Sequence, residues 1–431
     1  MNGRLILRRL SWGVADQAVS SLENFLLGAY VAHKLGDIGL GVLALILLAY
    51  AIVVNLSRAL ATDPLVVRFS VTDEQTWRGG VRAATGVAFI IGLLSGVVCA
   101  VLGVALLRSG SHAAGVAFIA LAPGLPGLTL QDSWRYAFFC VGRGRSAFAI
   151  DLNWTVLLLA ALGVEWLTGM VSLAWAVATF GATAWIAGLY GIVQARTVPA
   201  LRLAVGWLRR TADLGLRFVI ENLTLSLGSQ LRSVVLAATA GLVAVGGIRG
   251  AEMLVGPVVA LLMGIAQVAV PETVRALHAG ETQFRRICAA LSLGLGAVST
   301  LWTVVLLVVF PWGPGQLALG PVWPSAQALV LAVSVSATAG CFHVGPSAGL
   351  RALGRADLSW RCQASVAATY LVLATAGALV AGAQGTAWGT GIAALIGAVM
   401  WTATFRSAVR TRFAQPTVAA PAGLPLVESR P

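Results

Sequence analysis

Charge is scarce in this chain. Only 10% of its 431 residues are Asp, Glu, Lys or Arg, against roughly a quarter in a soluble domain, and 58% are hydrophobic, with a mean hydropathy of +0.88. Apolar runs near the ~20 residues that a helix needs to cross a bilayer recur almost end to end, which excludes a soluble globular protein. The short alternating strands of a membrane barrel are missing as well. The expected class is an all-α polytopic membrane protein.

Lysine is almost absent, Lys34 being the single one, so arginine carries the net charge of +13 and the pI near 10.8. In a soluble protein that balance would suggest nucleic acid, but here the arginines fall in alternate loops between apolar runs and mark a membrane topology, so no nucleic-acid partner is expected. The five cysteines stand singly in apolar stretches, and His33, His112, His278 and His343 are too dispersed for a metal site or a catalytic triad. No G-x-x-x-x-G-K-[ST] loop occurs, which argues against an intrinsic ATPase. "GRGRSA" (142–147) formally matches a dinucleotide fingerprint, but a membrane helix precedes it where that motif needs a strand. The loops on the outer side are too short to hold a membrane-embedded transferase site, so the chain is not expected to be an enzyme. No short apolar region with a small-residue cleavage site opens the sequence, and Met1 is expected to start the mature chain.

The hydropathy pattern gives about twelve spans, from 12–33 and 39–61 through 114–140 and 214–241 to 362–382 and 384–404. With the N-terminus cytoplasmic, nearly all arginines outside the spans fall on that side, and the other face keeps Lys34, Arg108 and Arg249. "PLVVR" (64–68) after the second span answers "PETVR" (271–275) after the eighth, and "VGRGRSA" (141–147) after the fourth answers "LGRADLS" (353–359) after the tenth, at offsets of 207 and 212. An even number of spans separates the copies, so the repeat is parallel, and two six-helix lobes related by a pseudo-two-fold around a central cavity are expected. The corresponding division is 1–193 for the N-terminal lobe, 194–213 for a basic cytoplasmic linker, 214–405 for the C-terminal lobe and 406–431 for a Pro- and Ala-rich disordered tail.

Several polar residues lie inside these spans. Asp16, Ser20, Glu23 and Asn24 fall on one face of the first helix, and Arg217, Glu221, Thr224, Gly228 and Arg232 on one face of the seventh. Charges facing lipid cost several kcal/mol, so both stripes are expected to line the space between the lobes. A local Arg217–Glu221 pair with Arg217 snorkelling to the interface is an equally good reading. Asp132 and Arg135 lie one turn apart in the fourth helix, where the corresponding residues of the tenth are Val344 and Ser347. They are either a self-neutralising pair or part of a ligand site. Pro123 and Pro126 should bend that helix beside the cavity. Arg58 and Glu252 complete the buried candidates, with interfacial anchoring as their alternative.

The two six-helix halves, the polar first helix, "AYAIVVNLSRALATDPLVVR" (49–68) and "DSWRYAFFCVGRGRSAFAIDLNW" (132–154) together resemble the polysaccharide-biosynthesis branch of the multidrug/oligosaccharidyl-lipid/polysaccharide (MOP) flippase superfamily in its actinobacterial form. The resemblance covers most of residues 10–405. It implies a flippase for a polyprenyl-pyrophosphate-linked oligosaccharide in a bacterial inner (plasma) membrane, with both termini cytoplasmic and no catalytic residues. The two extra C-terminal helices of the peptidoglycan-precursor flippase are absent, which argues against lipid II as substrate. Arg58, Arg135, Arg217 and Arg232 would then hold the pyrophosphate, while Asp16, Glu23, Asp132 and Glu221 balance them, contact sugars or bind a coupling cation, H+ or Na+. No other cofactor is implied. The implied partners are the polyprenyl-linked glycan, membrane lipids and cell-envelope glycan synthesis proteins. Competing readings are a cation-coupled multidrug or small-solute exporter of the same superfamily, a non-transporting scaffold of an envelope-synthesis complex, and a membrane glycosyltransferase.

Overall fold

The computed structural model describes the backbone of residues 3–69 and 73–414, with the side chains there except those of 3–11, 14, 217, 220–231, 266–268, 271, 356 and 414. Among the described residues there is no strand. Among the described residues, nine helical stretches are long and apolar enough to cross a membrane. Three of them are broken internally, at Gly36, at Gly241 and at Ala381–Gly382, so the chain crosses in twelve segments. Continuous helix is the only open-chain way to satisfy every backbone N–H and C=O in hydrocarbon, and the breaks fall where the chain turns back. The segments are α1 (3–35), α2 (37–69), α3 (Glu74–Arg108), α4 (His112–Cys140), α5 (Gly144–Thr168), α6 (Leu173–Ala195), α7 (204–240), α8 (242–278), α9 (Glu281–Val308), α10 (Pro314–Ala352), α11 (356–380) and α12 (383–414). The loops at one end carry Arg143, Arg196, Arg202 and Arg355; this is the basic end, and the turns at Gly36, Gly241 and Gly382 lie at the opposite one.

Two lobes, α1–α6 and α7–α12, repeat one another in parallel. Gly36 ends α1 with φ 65° and ψ −162°, and Gly241 ends α7 with φ 81° and ψ 176°, a backbone conformation that L side chains resist. Gly142 (φ 73°) and Gly354 (φ 71°), inside the "VGRGRSA" and "LGRADLS" segments, turn the chain between the fourth and fifth helix of each lobe. The lobes also meet through related residues. A Cβ on Gly41 would lie 2.1 Å from the Leu242 carbonyl oxygen, and a Cβ on Gly246 would lie 2.1 Å from that of Asp37. Gly36 and Gly241, Asp37 and Leu242, and Gly41 and Gly246 are all 205 positions apart, so this contact is reciprocal, as a two-fold axis between the lobes requires. Ser325 of α10 adds a hydrogen bond to the Asp37 carboxylate, and Gly320 closes on His33. The lobes are therefore clasped at the opposite end.

Small residues also set the approach of helices within a lobe: Gly124 of α4 and Gly181 of α6 face each other so closely that a Cβ on either would meet the other's Cα at 2.6–2.7 Å. Gly124 sits in a 3-10 turn, Ala122–Gly124, between Pro123 and Pro126. The turn bends α4 as the two prolines led us to expect, and Trp185 Nε1 of α6 donates to the Pro123 carbonyl at 2.8 Å. A second irregularity is a π-helical turn in α2, Arg58–Thr62, in which the Asp63 N–H reaches back to the Arg58 carbonyl. One apolar core runs through both lobes, with a smaller cluster around Phe284, Trp401 and Phe405 at the basic end of the C-terminal lobe.

Helix ends differ from the hydropathy reading. Residues 204–213, taken above as linker, are helical and continuous with α7, because Ala204, Trp207 and Thr211 bury one face against the N-terminal lobe. Residues 406–414 continue α12 where the sequence suggested a disordered tail; residues 415–431 lie outside the described residues.

Candidate functional site

The polar residues of α1 face two ways. Asp16, Ser20 and Glu23 turn into the N-terminal lobe, where Asp16 and Glu23 are buried, whereas Gln17, Ser21 and Asn24 face the space between the lobes. One helix turn has a circumference wide enough for both, so the expectation that the whole stripe lines the cavity is corrected for Asp16, Ser20 and Glu23.

Inside the N-terminal lobe these groups join a buried charge network. Arg58 of α2 holds Asp132 of α4 with two parallel bonds, Nε to Oδ2 at 2.9 Å and Nη2 to Oδ1 at 2.6 Å, and its guanidinium lies over the Tyr136 ring at 4.8 Å. Arg135 donates through Nη2 to Asp16 Oδ2 at 2.5 Å and through Nη1 to Asp132 Oδ1 at 3.3 Å, and its Nε is 3.0 Å from Asp151 Oδ1. Asp151 of α5 also accepts from Ser20 Oγ and from Gln131 Nε2, each at 2.6 Å. Thr155 Oγ1 donates to Glu23 at 3.2 Å. Asp132 and Arg135 are thus neither a self-sufficient pair nor cavity lining. Their mutual bond is the longest of the set, and each is held more closely by a partner from another helix. Arg58 and Arg135 are engaged in this network and are not among the residues that line the interlobe cavity described below. The corresponding positions of the C-terminal lobe carry no charge: Val344 is buried and accepts a hydrogen bond from Ser347 Oγ through its carbonyl.

Asp151 and Gln131 were missed as site residues. Asp151 lies in the apolar run that follows "VGRGRSA", and an acid within such a run was the available signal.

Between the lobes lies a cavity of about 830 Å³, a size that suits a drug-like ligand or a polar head group. α1 supplies Gln17, Ser21 and Asn24 with Leu22 and Phe25, and α7, α8 and α11 supply Arg232, Arg249, Glu252 and Tyr370. Arg232 donates to Glu252 Oε1 at 2.6 Å and to the Tyr370 hydroxyl at 2.9 Å. Arg249 Nη1 stands 3.8 Å from Glu252 Oε2. Sequence reading assigned Arg249 to a loop; it is a wall residue because α8 starts at 242, directly after the Gly241 break. Among the described residues, two arginines against one carboxylate give the wall one positive charge in excess. The side chains of Arg217 and Glu221, both site candidates, lie outside the described residues.

No protein-family model matches the sequence, and no curated protein matches it. Among solved structures, the chain is similar to an inward-facing conformation of a multidrug resistance MATE family transporter of the MOP superfamily, with TM-score 0.73 and 14% identity over 92% of this chain and 96% of that one. An outward-facing conformation of a MATE family transporter gives TM-score 0.57 at 15% identity over 95% and 96%. A MOP superfamily transporter from Pyrococcus furiosus, described as having a binding pocket of reverse polarity that suggests a different function, gives 0.56 at 16% identity over 95% of each chain. The two-lobed helical fold of the chain is thus similar to that of MATE family transporters of the MOP superfamily.

Proposed function

We propose that the protein moves an amphiphile with an anionic polar head, a polyprenyl-pyrophosphate-linked oligosaccharide, from the inner to the outer leaflet of a bacterial plasma membrane by alternating access. The observation that carries this reading is the pair Arg232 and Arg249 on the wall of an otherwise largely apolar interlobe cavity. Such a head cannot cross ~30 Å of hydrocarbon unaided, whereas its chain can stay in lipid. Guanidinium groups suit the paired oxygens of a pyrophosphate. Glu252 and Tyr370 hold Arg232 in place, so its ordering does not depend on the head. The amides of Gln17 and Asn24 face the same space and can bond sugar hydroxyls. Opening of the clasp at Gly41 and Gly246, with closure at the basic end, would present the head to the far side.

The test is a flipping assay in proteoliposomes with a fluorescent polyprenyl-pyrophosphate glycan, read by chemical quenching of the outer leaflet. Native protein is expected to move the lipid. Arg232→Ala is expected to slow it about 10- to 150-fold, the equivalent of one charge-assisted bond of roughly 1.5–3 kcal/mol. Equal rates for native protein and a folded Arg232→Ala variant would remove the cavity arginine from the mechanism.

A second reading, a cation-coupled exporter of small solutes, rests on the N-terminal network. Four carboxyl groups (Asp16, Glu23, Asp132, Asp151) face two guanidinium groups (Arg58, Arg135), so fully ionised acids leave two negative charges that a proton or sodium ion must balance. The same network can couple a cation to flipping. Movement of a lipophilic cation but not of the glycan lipid in the same vesicles would favour the exporter.

A further inference from the structure

The segment that joins the lobes presents two properties that a water-facing loop would not combine. Ala204, Trp207 and Thr211 bury one face of it on α2 and α3: the Trp207 ring stacks on Phe69 at 5.7 Å, Trp207 Nε1 donates to the Leu60 carbonyl at 3.1 Å, and just upstream the Ala200 N–H bonds the Arg82 carbonyl at 2.8 Å. The remaining surface is exposed and apolar at Val198 (62%), Val205 (59%) and Leu216 (64%), with Leu201, Leu203 and Leu208 also exposed. Val205, Leu208 and Leu216, at i, i+3 and i+11, form one stripe beside the buried face. Arg210 stands on the other flank, Arg209 one turn after Val205 at the edge of the stripe, and Arg196 and Arg202 upstream, all exposed. No acidic residue lies between 196 and 212, and Asp213, the next one, is engaged by Arg68 at 2.8 Å.

The length of α7 places this segment. From 204 to 240 a helix rises about 55 Å, against a hydrocarbon core of about 30 Å, so its first turns extend past the apolar slab at the basic end. There the end of the stripe nearest the slab, at Leu216, can meet the acyl boundary while the arginines beyond it reach phosphate groups.

We infer that residues 196–216 form an interfacial anchor for the anionic phospholipid head groups of the leaflet at the basic end. The anchor is fixed to the N-terminal lobe and runs directly into the first helix of the C-terminal lobe. Anionic lipid bound there acts on the element that must flex when the lobes rock, and so links membrane composition to that motion. The inference is independent of the transported substrate.

The test uses the full chain in nanodiscs of equal phosphatidylcholine and phosphatidylglycerol, with retained lipids counted by native mass spectrometry after mild extraction. Native protein is expected to retain phosphatidylglycerol preferentially. Arg202→Gln alone is expected to lower that preference about fivefold, and the triple change Arg202→Gln, Arg209→Gln, Arg210→Gln by tenfold or more. Arg406→Gln, Arg410→Gln, Arg412→Gln, which removes the same charge from exposed positions at the basic end of α12, is expected to leave it unchanged. The anchor is refuted if native protein shows no preference, if the linker variants keep it, or if the α12 variant loses it equally. The single Arg202→Gln variant decides the matter should the triple variant fail to fold.

Discussion

A methyl group added at the clasp provides a sharp mechanical probe of the two-lobe arrangement. In Gly41→Ala the new Cβ would lie 2.1 Å from the Leu242 oxygen and in Gly246→Ala 2.1 Å from the Asp37 oxygen, about 1.3 Å inside the 3.4 Å at which ordinary contact begins. Each neighbour is a backbone carbonyl, so no rotamer change relieves the overlap, and the lobes have to separate at that end. Overpacking of this kind costs about 1–3 kcal/mol, which here falls on the clasped state and shifts its balance with the unclasped state roughly 5- to 150-fold. Spin labels at Ser109→Cys and Leu317→Cys, exposed positions on opposite lobes near the clasped end, report the separation by pulsed dipolar spectroscopy. The five native cysteines are all buried, so labelling is confined to the two new sites. A longer-distance population is expected in each alanine variant and a larger one in the double variant. A distance distribution identical to that of the parent, in variants with unchanged elution and melting, would show that the glycine contact does not hold the lobes together.

Two further outcomes follow from local geometry. Arg135→Ala removes the cation shared by Asp16, Asp132 and Asp151, and breaking a buried pair from one side costs about 3–5 kcal/mol. A lower melting temperature in detergent is expected, with partial recovery when Asp151→Asn is added; an unchanged melting temperature for Arg135→Ala would show that the network contributes nothing to stability. At the basic end, Asp73 caps α3 by accepting from the Thr76 hydroxyl and from the Thr76 and Gln75 N–H groups, and the Thr76 bonds hold its carboxyl below the ordinary aspartate range. A lowered native value means that the stabilisation is complete above the unfolded value of about 3.9 and disappears as pH falls through the native one. The melting difference between parent and Asp73→Ala should therefore be present at pH 6 and shrink towards pH 3; a pH-independent difference would argue against the ionised cap.

Apolar length made the twelve crossings legible, because hydrocarbon imposes a strong and simple constraint on composition, and Pro123 and Pro126 announced the bend in α4. Helix ends were less legible: Trp207 and Thr211 extend α7 backwards through tertiary packing that no local pattern announces. The repeat was detected through Pro-x-x-V-R and Gly-Arg pairs, yet the spacing with structural force is Gly-x-x-x-x-Gly at 36–41 and again at 241–246. Two glycines among forty-nine draw no attention until a carbonyl is seen against each of them. Asp16, Glu23 and Asp132 are buried, but period alone gave one face to α1 where packing uses two. Arg58, Asp132 and Arg135 came together with Asp16 and Asp151 from five positions on four helices, a convergence that only the tertiary structure supplies.

The reciprocal glycine contact has a consequence for assembly. An interface in which Gly41 meets the strand of chain that Gly246 occupies in the other lobe, and the reverse, is self-complementary, as in a homodimer of six-helix subunits. The short connection at 196–203 turns what would be a bimolecular encounter into an intramolecular one, at an effective concentration set by a few residues. Freed from the demand that both copies be identical, one half could collect Asp16, Asp132, Arg135 and Asp151 while the other kept Val344 and Ser347 in place of the α4 pair. Asymmetry of charge within symmetry of shape is what a tethered dimer permits and an untethered one forbids.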